Sequence, residues 1–95
     1  MRFLLFSIFD RKAGVYLSPF PSRAVIDAER SIVASFRDNS LQGTPVAAHP
    51  EDFALYLIGR FDDETGYIDA TTSQLIAELQ DLRANASRGS STVSS

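Results

Sequence analysis

Three arginines, Arg23, Arg30 and Arg37, recur every seven residues. On a helix of about 3.6 residues per turn this spacing sets them in a nearly straight row beside whatever apolar face the helix buries. A guanidinium presents a planar fork of donors, which suits phosphate oxygens through paired, charge-assisted hydrogen bonds. The row is therefore a candidate phosphate track. The competing reading is an ordinary solvated helix edge, in which Arg23 and Arg30 pair with Asp27 or Glu29, and Arg37 with Asp38 or a neighbouring strand. Glu29 falls inside the apolar arc, where a lone carboxylate is costly, so an arginine partner would relieve it.

Further cations stand beside aromatic residues. Arg11 and Lys12 occupy the tip of a first hairpin, and Arg60 follows Tyr56 and Ile58 at alternate positions of a strand, which places the three on one face. Proteins that hold single strands without sequence preference combine cationic grooves with aromatic platforms, and each stacked base contributes on the order of 1 to 3 kcal/mol. A sheet face bearing Tyr16, Tyr56 and Arg60 would be such a platform. Aromatic residues in strands more often belong to a core. Tyrosine is the best suited of them to a binding face, because its hydroxyl prefers a wet edge.

Other chemistries fail on composition or spacing. Asp62, Asp63 and Glu64 gather oxygen ligands in FDDETG, but a hairpin connection this short falls well below the roughly twelve residues of a calcium loop. It reads as a solvated acidic turn, with Gly66 at positive φ and acids that blunt the hairpin edge. His49 is the only histidine and the chain has no cysteine, so it has no metal partner of its own kind and no nucleophile to activate. HPED reads instead as the entry to a strand, with Pro50 fixing φ. No phosphate-binding glycine loop or zinc-protease motif occurs. The expectation is a protein that is not an enzyme, with no catalytic residues, no metal and no cofactor.

The elements that must place these residues follow from periodicity. Ninety-five residues suit one domain, and 44% apolar content allows a real core. FLLFSIF at residues 3–9 is a strand, bounded by DRKAG and resumed at Val15-Tyr16-Leu17 to form a hairpin with Gly14 at positive φ. Two prolines in SPFPS stop the strand, and Ser22 is a candidate N-cap. From Arg23 to about Arg37, Val25, Ile32 and Phe36 fall on one arc of a helix. LQGTPVAAHP reads as a surface loop. FALYLIGRF and Tyr67-Ile68 form a second hairpin. A C-terminal helix then starts at the Thr71, Thr72 or Ser73 caps and runs through Leu75, Ile76, Leu79 and Leu82 to about Ala86.

The predicted fold is α+β, in the order β-β-α-β-β-α: a four-stranded, mainly antiparallel sheet of two hairpins with a central and a C-terminal helix. The domain spans 1–86, followed by a flexible Ser-rich tail over 87–95. Both long strands carry apolar residues on successive positions, so both faces want cover. The central helix covers one, and the C-terminal helix or a partner subunit covers part of the other, which makes a homodimer the expectation. The opening apolar run meets Asp10-Arg11-Lys12 too soon for a signal peptide, and no stretch approaches the roughly 18 apolar residues of a membrane span, so a soluble protein with no membrane partner is expected. Absence of cysteine fits a reducing compartment.

Two segments carry a family resemblance: FSIFDRKAGVYLSPF at residues 6–20 and HPEDFALYLIGRFDDETGYI at residues 49–68. With the Ala28-Glu29-Arg30 pattern on the helix between them, they resemble the small nonstructural protein of gokushovirus-type microviruses, tailless phages with single-stranded DNA genomes. The resemblance covers roughly residues 3–69. It implies a phage protein made in the host bacterial cytoplasm, binding single-stranded DNA during genome replication or packaging, with no catalytic residues to carry over. The residues then expected to contact DNA are Arg11, Lys12, Arg23, Arg30, Arg37, Arg60, Tyr16 and Tyr56.

A net charge of −3 is the wrong sign for a simple polyanion binder, so any such affinity must be local. Residues 1–50 hold six basic and four acidic groups, residues 51–95 three and eight. The alternative is a module that docks on a phage capsid or host replication protein and never touches DNA. Arginines that form a continuous positive stripe favour DNA, and arginines each matched to a carboxylate favour a protein partner.

Overall fold

The computed structural model describes residues 1–93, with side chains through residue 87. In chain order it has β1 (Arg2–Asp10), β2 (Val15–Tyr16), β3 (Phe20–Ser22), α1 (Val25–Arg37), α2 (Pro45–Ala48), a 3₁₀ turn at Pro50–Asp52, β4 (Phe53–Asp62), β5 (Ile68–Glu78) and α3 (Leu79–Val93). The fold is α+β, as its patterning predicts. Its sheet is antiparallel and five-stranded, in the order β2-β1-β4-β5, with β3 also paired to β1.

Both expected hairpins form. Gly14 (φ 72°) closes the first, donating its N–H to Asp10 O at 2.8 Å, and Gly66 (φ 75°) closes the second, donating to Asp62 O at 2.8 Å. An L side chain would be strained at either position. Asp10 and Asp62 each fold a carboxylate back onto turn amides, Asp10 Oδ1 accepting from Lys12 and Ala13, and Asp62 Oδ1 from Glu64.

Three local expectations change. Phe20-Pro21-Ser22 does not simply end the sheet; it pairs with Leu4–Phe6 of β1 as a short edge strand. An edge tolerates Pro21 because the missing N–H would face outward. Ser22 is thereby spent on the ladder and does not cap α1, whose N-cap is Ala24 with no side-chain hydrogen bond. Within the expected loop, Thr44 caps the single turn of α2, accepting from the Ala47 N–H. The largest change is at β5. Thr71, Thr72 and Ser73 lie inside the strand, and the helix starts only at Leu79. Ladder pairing with β4 up to Glu78 outweighs the local helical spacing. The Ser-rich stretch from 87 enters α3, and residues 94–95 lie outside the described residues.

One core holds the layers together. Phe6 and Leu55, both at 0% exposure, meet Ala28 and Ile32 of α1, Leu79 and Leu82 of α3, and Val46 of α2. The C-terminal helix therefore lies beside α1 on the same side of the sheet, and does not cover the second face. No helix among the described residues is long and apolar enough to cross a membrane.

Cross-strand partners project to the same side, so the register sorts every strand residue by face. On the helix side the rows read Ser22–Leu4–Arg60–Asp69, Phe20–Phe6–Leu57–Gln74 and Ile8–Leu55–Ala77. On the other side they read Phe3–Phe61–Ile68, Pro21–Leu5–Gly59–Ala70, Ser7–Tyr56–Leu75 and Tyr16–Phe9–Ala54–Glu78. Between Leu5 and Phe6, β4 inserts one extra residue, Ile58, and this bulge reverses the alternation beyond it.

Gly59 sits at that bulge in close contact with β5, and a Cβ built there would stand 2.7 Å from the backbone oxygen of Asp69. Gly59→Ala is expected to destabilise the fold by about 1 to 3 kcal/mol, since backbone on both strands must shift. Phe6→Ala is expected to cost about 3 to 5 kcal/mol through the cavity it leaves. Urea denaturation of the two variants against the parent measures both.

Candidate nucleic-acid interface

The eight residues expected to contact DNA are not brought to one surface. They divide among four places: the α1–α3 side, the hairpin tip, an aromatic cluster on the other face of the sheet, and Arg60 apart from these.

The first place is the α1–α3 side. Arg30 and Arg37 are on α1, whereas Arg23 lies two residues before it, so the row of three is a helical pair with an extension. Arg30 and Arg37 line a groove of ≈ 490 Å³ between the helices, with Val33 and Leu82 at its floor and Glu29 on its rim. Arg37 continues into a second groove of ≈ 300 Å³, where it meets Arg83 of α3, Asn39 and Leu41. The Arg37 Nε donates to Ala86 O at 3.3 Å, which ties the guanidinium itself to α3.

The carboxylates expected to neutralise this row do not do so. The ion pairs formed among the described residues join Met1 to Asp63 and Glu64, Arg11 to Glu78, and Lys12 to Asp52. Arg23 and Arg30 do not pair with Asp27 or Glu29, and Glu29 stays half-buried without the arginine partner expected for it. Asp38 is occupied elsewhere, its Oδ1 accepting from the Ser40 N–H at 2.9 Å and from the Ser40 hydroxyl. These bonds, the hydroxyl's first, hold the Asp38 carboxyl below the usual aspartate range.

The second place is the hairpin tip. Arg11 Nη2 bonds Glu78 Oε2 at 2.6 Å and Nη1 bonds Glu51 O at 3.2 Å, while Lys12 Nζ stands 3.6 Å from Asp52. The Glu78 hydrogen bond raises the Arg11 pKa. Both cations expected to face DNA are thus committed to carboxylates. Asp52 also approaches His49 and Glu51, their ligand atoms lying within 4.8 Å of one another.

The third place holds the aromatic residues. Tyr16 and Tyr56 do meet, at 5.9 Å between ring centroids, and Phe9 joins them at 4.7 and 6.0 Å. The Tyr16 hydroxyl donates to Ser73 Oγ at 3.3 Å. The expectation that Arg60 shares this face is corrected by the register. Ile58 is the bulge residue, so Arg60 pairs with Leu4 and Asp69 on the helix side while Tyr56 pairs with Ser7 on the other. Arg60 also sits at the opposite end of β1 from Arg11, roughly 25 Å away at about 3.3 Å per residue. There it shares a small groove with Arg2, Asp62 and Asp69.

Arg83 is the cation that the sequence reading missed. With the C-terminal helix started at the Thr71–Ser73 caps, its phase against α1 could not be set; buried Leu79, Leu82 and Ala86 set it. Among the described residues, Arg23, Arg30, Arg37 and Arg83 form no ion pair with a carboxylate, and the last three line the grooves of the helix layer.

The molecule is a small α+β protein with two grooves on the helix side of its sheet. Comparison with known families adds its source: the family described as Phage ORF5 protein matches residues 3–82. The chain belongs to that family and is a bacteriophage protein. Searches of curated proteins and of solved structures gave no significant match.

The Asp38 contacts predict a titration. A carboxyl with a depressed native pKa contributes its stabilisation fully above the ordinary aspartate value and loses it as pH falls through the native one. Carbon NMR of the side-chain carboxyls should find Asp38 titrating below an ordinary aspartate. Ser40→Ala should move it back up.

Proposed function

We propose that this phage protein binds single-stranded DNA without catalysing a reaction, in the replication or packaging of a gokushovirus-type microvirus genome within the host cytoplasm. The observation that supports the reading best is the set of guanidinium groups in the α1–α3 grooves that form no ion pair with a carboxylate among the described residues. Membership of a phage family and the motif resemblance to a single-stranded DNA phage protein agree with it.

The contact is through phosphate. Arg30 and Arg37 stand one heptad apart, about 10 Å along the helix axis, and each offers a fork of donors to a backbone oxygen. Val33 and Leu82 between them offer apolar surface to a sugar or base edge. Contacts to phosphate carry no sequence information, so binding through these arginines is sequence-tolerant. The hairpin-tip cations contribute less, because phosphate would have to displace Glu78 and Asp52 from them.

A second reading, docking on a phage or host protein without DNA contact, is favoured by the net charge of −3. Salt dependence separates the two. Fluorescence anisotropy with a labelled oligonucleotide should show affinity falling steeply with salt, with a slope of roughly −0.7 in log K against log salt for each phosphate neutralised. Arg30→Glu and Arg37→Glu should each weaken binding and flatten that slope by about 0.7 or more. Both sites are exposed, so far-UV circular dichroism should stay unchanged. Absence of binding at the lowest salt, or full affinity in both reversals, sinks the DNA reading.

A further inference from the structure

The sheet face away from the helices is built almost without charge. Its four cross-strand rows contain one ionisable acid, Glu78, and that carboxylate is already paired with Arg11 at 2.6 Å. The remaining positions are aromatic, aliphatic or small. Ile68 is 63% exposed, Leu75 49% and Tyr16 46%, and none of α1, α2 or α3 packs over them. Contiguous apolar surface of this kind marks an interface more often than free surface.

We propose that two copies of this chain associate through this face. Charge favours a second copy over other occupants. A phosphate backbone or a strongly charged partner finds no free counter-ion there, since Arg60 projects to the opposite side. Two identical faces whose one acid is already paired meet without like-charge repulsion, as a two-fold interface requires when each patch must complement itself. Composition agrees, because interface cores are depleted of charge and enriched in tyrosine and phenylalanine.

Size and shape agree as well. The molecule measures 44 × 33 × 20 Å. That outline accommodates the roughly 800 Å² per partner of a standard specific interface. Gly59 and Ala70 make one row of the face low, between the row that carries Ile68 and the row that carries Tyr56 and Leu75. The Phe9–Tyr16–Tyr56 ring cluster then serves as an interface anchor, and the arginine grooves of α1 and α3 stay outside the contact.

Sedimentation equilibrium tests this on the full chain. The parent protein should run at about twice its 10.4 kDa chain mass. Leu75→Glu and Ile68→Glu should run at chain mass with unchanged far-UV circular dichroism, since both side chains are exposed in the free subunit. A parent protein that stays at chain mass up to its solubility limit overturns the proposal, whatever the variants do. So does a folded Leu75→Glu and Ile68→Glu pair that both keep the double mass. Because the readout is mass, it is independent of whether the α1–α3 grooves bind an oligonucleotide.

Discussion

The ladder between β1 and β4 governs everything else in this molecule. It joins the two longest apolar runs along nine cross-strand pairs, and its single extra residue, Ile58, decides which side chains meet the helices and which do not. Before the bulge Phe53, Leu55 and Leu57 face the helices, and after it Arg60 does. Without the insertion Arg60 would join Tyr56 on the other face, and the molecule would carry a cationic aromatic platform. With it, one side of the sheet carries the core and Arg60, and the cross-strand rows of the other contain Glu78 as their one charged residue. Gly59 makes the arrangement possible by letting β5 approach where the ladder is irregular.

What was legible in the sequence follows the range of the interactions. The hairpin turns are local events, and Gly14 and Gly66 take the positive φ that their spacing required. The apolar arc of α1 was equally readable, since Ala28 and Ile32 are buried as the 3.6-residue period demands. Elements that depend on a distant strand were not. Phe20–Ser22 becomes a strand only because β1 offers it a free edge, and Thr71–Ser73 belongs to a strand only because β4 lies alongside. Local propensity favoured a cap at each, and non-local pairing won.

The binding surface was legible in the same partial way. Arg30 and Arg37 share a groove because seven residues nearly complete two helical turns, which is arithmetic available to any reader. Arg83 enters from another element, and only the packing of Leu79 and Leu82 against α1 brings it near. The neutralisation of Arg11 and Lys12 was hidden for the same reason, because Glu78 lies 67 positions away in the chain. The separation of Tyr56 from Arg60 was hidden for a different one. A single-residue bulge leaves no clear mark on a pattern already apolar at successive positions, as FALYLI is.

The acidic net charge does not oppose local affinity for a polyanion, because of where the acids lie. Asp62, Asp63 and Glu64 form the turn of the second hairpin, with Asp63 and Glu64 held by the Met1 amino group. Glu51, Asp52 and Glu78 gather around Arg11 and Lys12 at the other end of the sheet. Charges screened by physiological salt act over only about 8 Å. A phosphate in the α1–α3 grooves would meet Arg30, Arg37 and Arg83, with Glu29 lining the same groove and Asp27, Asp38 and Asp81 on or beside the same helices. The sum of charges describes how the whole molecule repels or attracts from afar, while contact is decided by which few of them share a groove.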